Sequence, residues 1–155
     1  MDAVQIENDV GRTVGLLGGE EGIRAKVSNA MDAHEVLLQG LPTTALLSLV
    51  EAVGFLEQGD ALKKAVGLSL RTLQRHKAGD APQRLSTEQS NRAWRFAEIF
   101  AHAVDVMGSE EAAEDWINRP AIGLSNRKPV DLLATSAGVE AIEEYLTRLE
   151  YGVYA

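Results

Sequence analysis

Between residues 93 and 107 the apolar side chains fall at Ala93, Phe96, Ala97, Phe100, Ala103, Val104 and Met107. This is the i, i+3, i+4, i+7 spacing of one helix face, sustained over about four turns, and it demands a core for that face to pack against. Ser86 opens the helix, and Gln89 three residues later completes a capping box. Gly108 stops it. No alternating apolar–polar stretch long enough for a strand occurs anywhere in the chain, so the fold class is all-α.

Other helix boundaries are equally local. Pro42 stands at a helix start, followed by Ala45, Leu46, Leu47, Leu49, Val50 and Val53 as an apolar face. Asp60 is placed to cap a helix over residues 61–66, which Gly67 ends. Ser69 caps a second helix over residues 70–77, which stops at Gly79. Ser109 caps the next, with Glu110 and Glu111 favourably placed in its first turn and Trp116 and Ile117 facing inward. Residues 118–128 form a loop with Pro120 and Gly123, Pro129 starts a short helix through Leu133, and a last helix spans about Ser136 to Glu150. Residues 1–30 carry Gly11, Gly15, Gly18, Gly19 and Gly22 and little pattern. They read as a loose leader with room for one short helix. These glycines match no phosphate loop or dinucleotide fingerprint. The expected organisation is a weakly structured leader over 1–40, a helix-turn-helix region with a long linking helix over 41–107, and a small helical domain over 108–155.

Composition bounds the rest. A chain of 155 residues that is 45% hydrophobic is ordinary for one domain or two small ones, and it has no cysteine. Disulfide scaffolds, thiolate metal sites and cysteine nucleophiles are thereby excluded. No run approaches the roughly 18 apolar residues a membrane helix needs, and the N-terminus lacks a signal-peptide pattern, so a cytoplasmic protein with no membrane partner is expected. The net charge of -8 argues at first against nucleic acid. Resolved along the chain, however, residues 1–60 carry three basic against ten acidic residues and residues 96–155 four against eleven. Residues 61–95 carry Lys63, Lys64, Arg71, Arg75, Lys77, Arg84, Arg92 and Arg95 against only Asp80 and Glu88. A compact basic segment between two acidic ones points to separate partners.

That basic segment contains two short helices joined by Gly67, Leu68 and Ser69, the geometry of a helix-turn-helix. In the second helix Leu70 and Leu73 face the core, which leaves Arg71, Thr72, Gln74, Arg75 and Lys77 outward. Arginine and glutamine suit bidentate contacts to guanine and adenine edges, and lysine and threonine suit phosphates. Residues at the helix start reach the bases first, so Arg71 and Thr72 lead, then Gln74 and Arg75. With Ser69 and Lys77 they are the candidate DNA-contacting residues. An ordinary helical hairpin with a basic surface gives the same text. A single unit reads few base pairs, so a homodimer on paired half-sites is expected, its surface left open between the helices around residues 40–57 and the long helix.

No catalytic constellation accompanies this. His34, His76 and His102 are not at metal spacing, and the acids Glu110, Glu111, Glu114 and Asp115 read as a helix start and a solvated face. Gly-x-Ser-x-Gly is absent. The chain is therefore expected to be no enzyme and to need no cofactor or metal.

The last forty residues are the least generic. They contain Trp116-Ile117-Asn118-Arg119-Pro120, Leu124-Ser125-Asn126-Arg127-Lys128-Pro129-Val130-Asp131-Leu132-Leu133, Thr135-Ser136-Ala137-Gly138, and Arg148-Leu149-Glu150-Tyr151-Gly152-Val153-Tyr154-Ala155. This text resembles the toxin-binding domain of the Xre/MbcA/ParS antitoxin family. Arg71-Thr72-Leu73 with Arg75, then Leu85-Ser86, Glu88 and Asn91-Arg92, are similar to that family's helix-turn-helix and linking helix. The resemblance covers about residues 40–155. It departs at Ser125-Asn126, where the family commonly has Gly-Gly; Asn126 tolerates a left-handed turn, and Ser125 does so less readily.

The resemblance implies an antitoxin of a type II toxin–antitoxin pair. Its partner would be a RES-domain toxin that consumes NAD or modifies proteins with it. The antitoxin would block the toxin's NAD pocket with its C-terminal region and repress its own operator. Arg127, Arg148, Tyr151, Gly152, Val153, Tyr154 and Ala155 are then the candidate toxin-binding residues. From the residues alone, Tyr151 and Tyr154 packing back on the last helix is the simpler expectation; the resemblance favours insertion into the toxin. A stand-alone helix-turn-helix regulator without a toxin is the alternative.

Overall fold

The computed structural model of the chain describes residues 3–152, with side chains from Asp9 onward. Among the described residues, nine α-helices and three 3₁₀ turns account for the regular structure, and the only β-type pairings are two isolated bridges, Pro42 with Arg84 and Ala121 with Arg127. The all-α expectation holds. No helix among them is long and apolar enough to cross a membrane. Contacts divide the chain into two compact units, Met1–Glu98 and Ile99–Ala155, and the long helix runs across the division.

The first unit corrects the expectation of a loose leader. Its N-terminal part forms α1 (Ala3–Leu16), α2 (Gly19–Ile23) and α3 (Ala30–Gln39). Leu17 and Ile23 are fully buried. Two glycines of this weakly patterned stretch are sites of close approach. A Cβ on Gly22 would lie 2.3 Å from the Leu17 carbonyl oxygen, and one on Gly18 2.5 Å from Ser48 Oγ. Thr44 Oγ1 donates a 2.6 Å hydrogen bond to the Gly22 carbonyl, tying α2 to α4 (Thr43–Ala52). Arg24, left-handed at φ 61, ends α2.

From α4 the chain passes through a 3₁₀ turn over Gly54–Glu57 to α5 (Ala61–Val66), α6 (Leu70–Ala78) and α7 (Thr87–Met107). Leu46, Leu49, Leu56, Leu62, Leu73 and Phe96 form the centre of the core, with Phe55 edge-on to Phe96. Burying each such side chain contributes roughly 1.5–3 kcal/mol. The segment before α4 is stapled to the one before α7: Leu41 N donates to buried Ser90 Oγ at 2.7 Å, Leu85 N to Leu41 O at 2.8 Å, and Thr87 Oγ1 to Leu38 O at 3.1 Å. The capping box forms as read, Ser86 N to Gln89 Oε1 and Gln89 N to Ser86 Oγ, both at 3.0 Å. Asp60 differs: its side chain makes no cap bond and pairs with Lys64 at 3.4 Å, one turn along α5.

The second unit holds the end of α7, then α8 (Glu110–Ile117), two 3₁₀ turns over Ile122–Leu124 and Pro129–Leu132, and α9 (Ser136–Glu150). Ser109 and Thr135 cap α8 and α9 through the backbone N–H groups three residues on. Phe100, Ile117, Ile142 and Leu146 are fully buried. Trp116 is half-buried rather than inward, stacked on Tyr145 with centroids 6.1 Å apart and planes 10° from parallel. Gly123 lies over the same ring, where a Cβ would sit 2.0 Å from Tyr145 Cε2.

Candidate functional site

The two-helix element of the basic segment is assembled by backbone chemistry. Gly67, at φ 84, accepts the left-handed conformation that ends α5 and lets Leu68 bury before α6 begins. Ser69 Oγ accepts from Thr72 N at 3.1 Å, and its hydroxyl donates to Thr72 Oγ1 at 3.0 Å. Gly79, at φ 79, ends α6, and its N–H and that of Asp80 return to the carbonyls of His76 and Arg75. Leu73 is buried and Leu70 half-buried beneath the helix.

This arrangement presents Arg71, Gln74, Arg75 and Lys77 to solvent, with Thr72 half-buried and Ser69 exposed at the cap. Their engagements differ. Arg75 Nη2 donates to the Asp80 carbonyl at 3.1 Å. Lys77 forms an ion pair with Glu57. Among the described residues Arg71 and Gln74 have no hydrogen-bond partner, so they are the most available for a ligand.

His76 belongs to the inner face of α6 and is buried. Its Nδ1 lies 3.0 Å from Thr43 Oγ1, whose hydroxyl donates to the Pro82 carbonyl at 3.1 Å. Thr43 has one proton to give, so the imidazole must be the donor at Nδ1. Burial first, and Arg75 next to it second, hold His76 below its ordinary pKa, in its neutral form.

Two of the eight basic residues donate to carbonyls distant in sequence, Arg92 half-buried and Arg84 exposed. Arg92 Nη2 donates to the carbonyls of Lys64 (2.6 Å) and Lys63 (3.4 Å), the open C-terminal end of α5, and Arg92 packs under Gly67. Arg84 Nη1 donates to the Gly40 carbonyl at 2.8 Å. Both hold the element together from behind. Sequence reasoning gave neither a structural partner, because nothing local marks one 28 or 44 residues away.

In the second unit Arg148 is exposed in the last turn of α9, and Arg127 is exposed while its carbonyl accepts from Ala121 N at 3.1 Å. Tyr151 is 74% exposed and does not pack back onto α9. Gly152 follows at φ 70; Val153, Tyr154 and Ala155 lie outside the described residues. Among the described residues of this unit the other exposed large apolar side chain is Ile122, 87% exposed in the 121–127 turn, and it was not picked out from the sequence. That turn needs two consecutive left-handed residues, Ser125 at φ 57 and Asn126 at φ 60. Behind it, His102 bridges two carboxylates of α9, Nδ1 to Glu143 at 2.9 Å and Nε2 to Glu150 at 3.0 Å. The hydrogen bond that its Nδ1–H donates to Glu143, opposed by burial and aided by Glu150, raises its pKa.

Family models match the chain in two consecutive blocks, the antitoxin Xre-like helix-turn-helix domain over residues 32–98 and the antitoxin Xre/MbcA/ParS C-terminal toxin-binding domain over residues 102–152. The chain belongs to the Xre/MbcA/ParS antitoxin family. Its relatives include antitoxin Xre of Photorhabdus laumondii, 28% identical over 127 residues that cover 81% of this chain and 83% of that protein. Antitoxin Xre of Yersinia enterocolitica is 34% identical over 93 residues, covering 59% and 62%, and that of Pseudomonas putida 28% identical over 127 residues, covering 82% and 76%. The six candidate DNA-contacting residues of this Xre-family chain fall within the helix-turn-helix match. Arg127, Arg148, Tyr151 and Gly152 fall within the toxin-binding match. Among the described residues no group of His, Asp and Glu is arranged to hold a metal ion.

Proposed function

We propose that this antitoxin neutralises a RES-type toxin by carrying residues 151–155 into the toxin's NAD pocket, and that it represses its own operon through α6. The observation that carries the first part is Tyr151, exposed at the end of α9 within the toxin-binding match, where its ring is available to a partner. A tyrosine fills an apolar pocket while its hydroxyl stays hydrogen-bonded. The acidic last third of the chain complements a positively charged pocket and speeds encounter with it. Ile122 adds an apolar contact beside Arg127. The chemistry resides in the toxin, and the antitoxin works in the cytoplasm, with its toxin, its operator and a second copy of itself as partners.

The test is deletion of residues 151–155 with the toxin co-expressed. Growth rescue is expected to vanish while the circular dichroism spectrum and melting temperature of the truncated chain stay unchanged. Full rescue by the truncated chain would sink the pocket-blocking reading and leave α6 as the functional surface of a stand-alone regulator.

A further inference from the structure

In the second unit, His102 of α7 faces two acidic residues of α9, Glu143 and Glu150, which lie seven apart on one stripe of that helix. Its Nδ1 stands 2.9 Å from Glu143 Oε2 and its Nε2 3.0 Å from Glu150 Oε2. A neutral imidazole has one N–H and one lone pair, and a carboxylate only accepts. Both contacts are therefore hydrogen bonds at once only when the ring carries two protons. With one proton, a ring lone pair is set against a carboxylate oxygen. The charges that act on the ring are those same two glutamates. Along α7 itself Glu98 stands one turn before and Asp105 one turn after, with Glu98 paired to Arg95 at 3.5 Å.

Glu150 is the last residue of α9, where a negative charge opposes the helix dipole. Arg148 shares that turn but stands two positions away, off the stripe that meets His102. Past Glu150 the helix is closed by backbone alone: Tyr151 N donates to Thr147 O at 3.1 Å and Gly152 N to Leu149 O at 3.2 Å. We propose that His102, held as the imidazolium between Glu143 and Glu150, is a positioning residue for toxin binding, clamping the last turn of α9 to α7 and so fixing the point from which residues 151–155 leave the helix. The inference rests on the reading that those residues enter the toxin, and it places that binding under the control of pH. Ordering the exit in advance lowers the entropy lost on association. When the ring gives up its second proton, one carboxylate is let go. Glu150, 46% exposed against 31% for Glu143, is the one that water takes. The last turn then frays and toxin affinity falls. The glutamates hold the pKa of His102 above its ordinary 6.5, so the release comes on the alkaline side of that value.

The test follows the ring and the helix end together in the full chain. Nitrogen NMR from pH 6 to 9 is expected to show both ring nitrogens of His102 protonated at pH 6. The heteronuclear NOE of the Tyr151 and Gly152 amides is expected to fall as the second proton leaves. Glu150→Ala, at an exposed position, and His102→Gln are each expected to abolish that step, with circular dichroism checking the fold. Affinity for the RES-domain toxin of the rescue test is read as the ratio of wild-type to Glu150→Ala, which cancels the toxin's own titration. That ratio is expected to fall on the order of tenfold across the step, the effect of one pKa unit. A singly protonated His102 at pH 6, an NOE step that survives in both variants, or a ratio flat across the step overturns the proposal. A chain ending at Glu150 that binds the toxin as tightly as the full chain sinks the pocket reading instead. The NOE measurement needs no toxin and decides the clamp by itself.

Discussion

At residue scale, the departure from the family's Gly-Gly carries a measurable strain. Ser125 and Asn126 both hold the left-handed conformation, at φ 57 and 60. A side chain there costs roughly 1–2 kcal/mol, less for asparagine, whose short amide bonds locally. The turn is held by Asn126 N to Ala121 O at 2.9 Å and Ala121 N to Arg127 O at 3.1 Å, bonds that depend on backbone alone. Ser125→Gly removes the strain but adds chain entropy to the unfolded state. It is therefore expected to stabilise the protein by about 0.5–1 kcal/mol, raising Tm by a few degrees in a thermal melt. No rise would mean that Ser125 is relieved by contacts the glycine loses. The sequence marked Asn126 as fit for this turn, but only the backbone shows that Ser125 shares the conformation.

At the scale of elements, what was legible is what is local. Ser69, Ser86 with Gln89, and Ser109 each satisfy N–H groups two or three residues away, so their spacing is enough to place α6, α7 and α8. The two helices before residue 30 were not legible, because Gly18 and Gly22 mark close approach to Ser48 and Leu17, and a glycine needed for contact looks the same in sequence as one needed for freedom. The same distinction separates two arginines of the basic segment. Arg71→Ala leaves the fold untouched and is expected to weaken operator binding by about 1–3 kcal/mol, read by fluorescence anisotropy at fixed salt. Arg92→Ala removes the side-chain donor to the Lys64 carbonyl at the end of α5, and is expected to cost about 1–3 kcal/mol of stability in urea unfolding. An Arg71→Ala chain with unaltered operator affinity would reject α6 as the reader.

At the scale of the whole molecule, the two units respond to pH in opposite senses through His76 and His102. The pKa of His102 is raised in the folded state, so its contribution is complete below the unfolded value of about 6.5 and is lost as pH rises through the folded value. The pKa of His76 is lowered, so its unit is most stable above about 6.5 and loses stability as pH falls from there through the folded value. Melts at pH 5.5, 6.5 and 8, followed at Trp116 in a Trp94→Phe chain, are expected to weaken toward pH 8, and His102→Gln to flatten that slope. A slope that survives His102→Gln would assign it to another group. The half-buried arginine, Arg92, has a consequence of a different kind. Each phosphate contact releases counterions, and the slope of log affinity against log salt counts about 0.9 of them. Arg92 is half-buried and committed to the carbonyls of Lys63 and Lys64, so it offers no free guanidinium edge for direct contact. Formal charge therefore overstates the cations this segment can offer to a nucleic acid, and a salt titration of DNA binding is expected to give a shallower slope than eight cations imply.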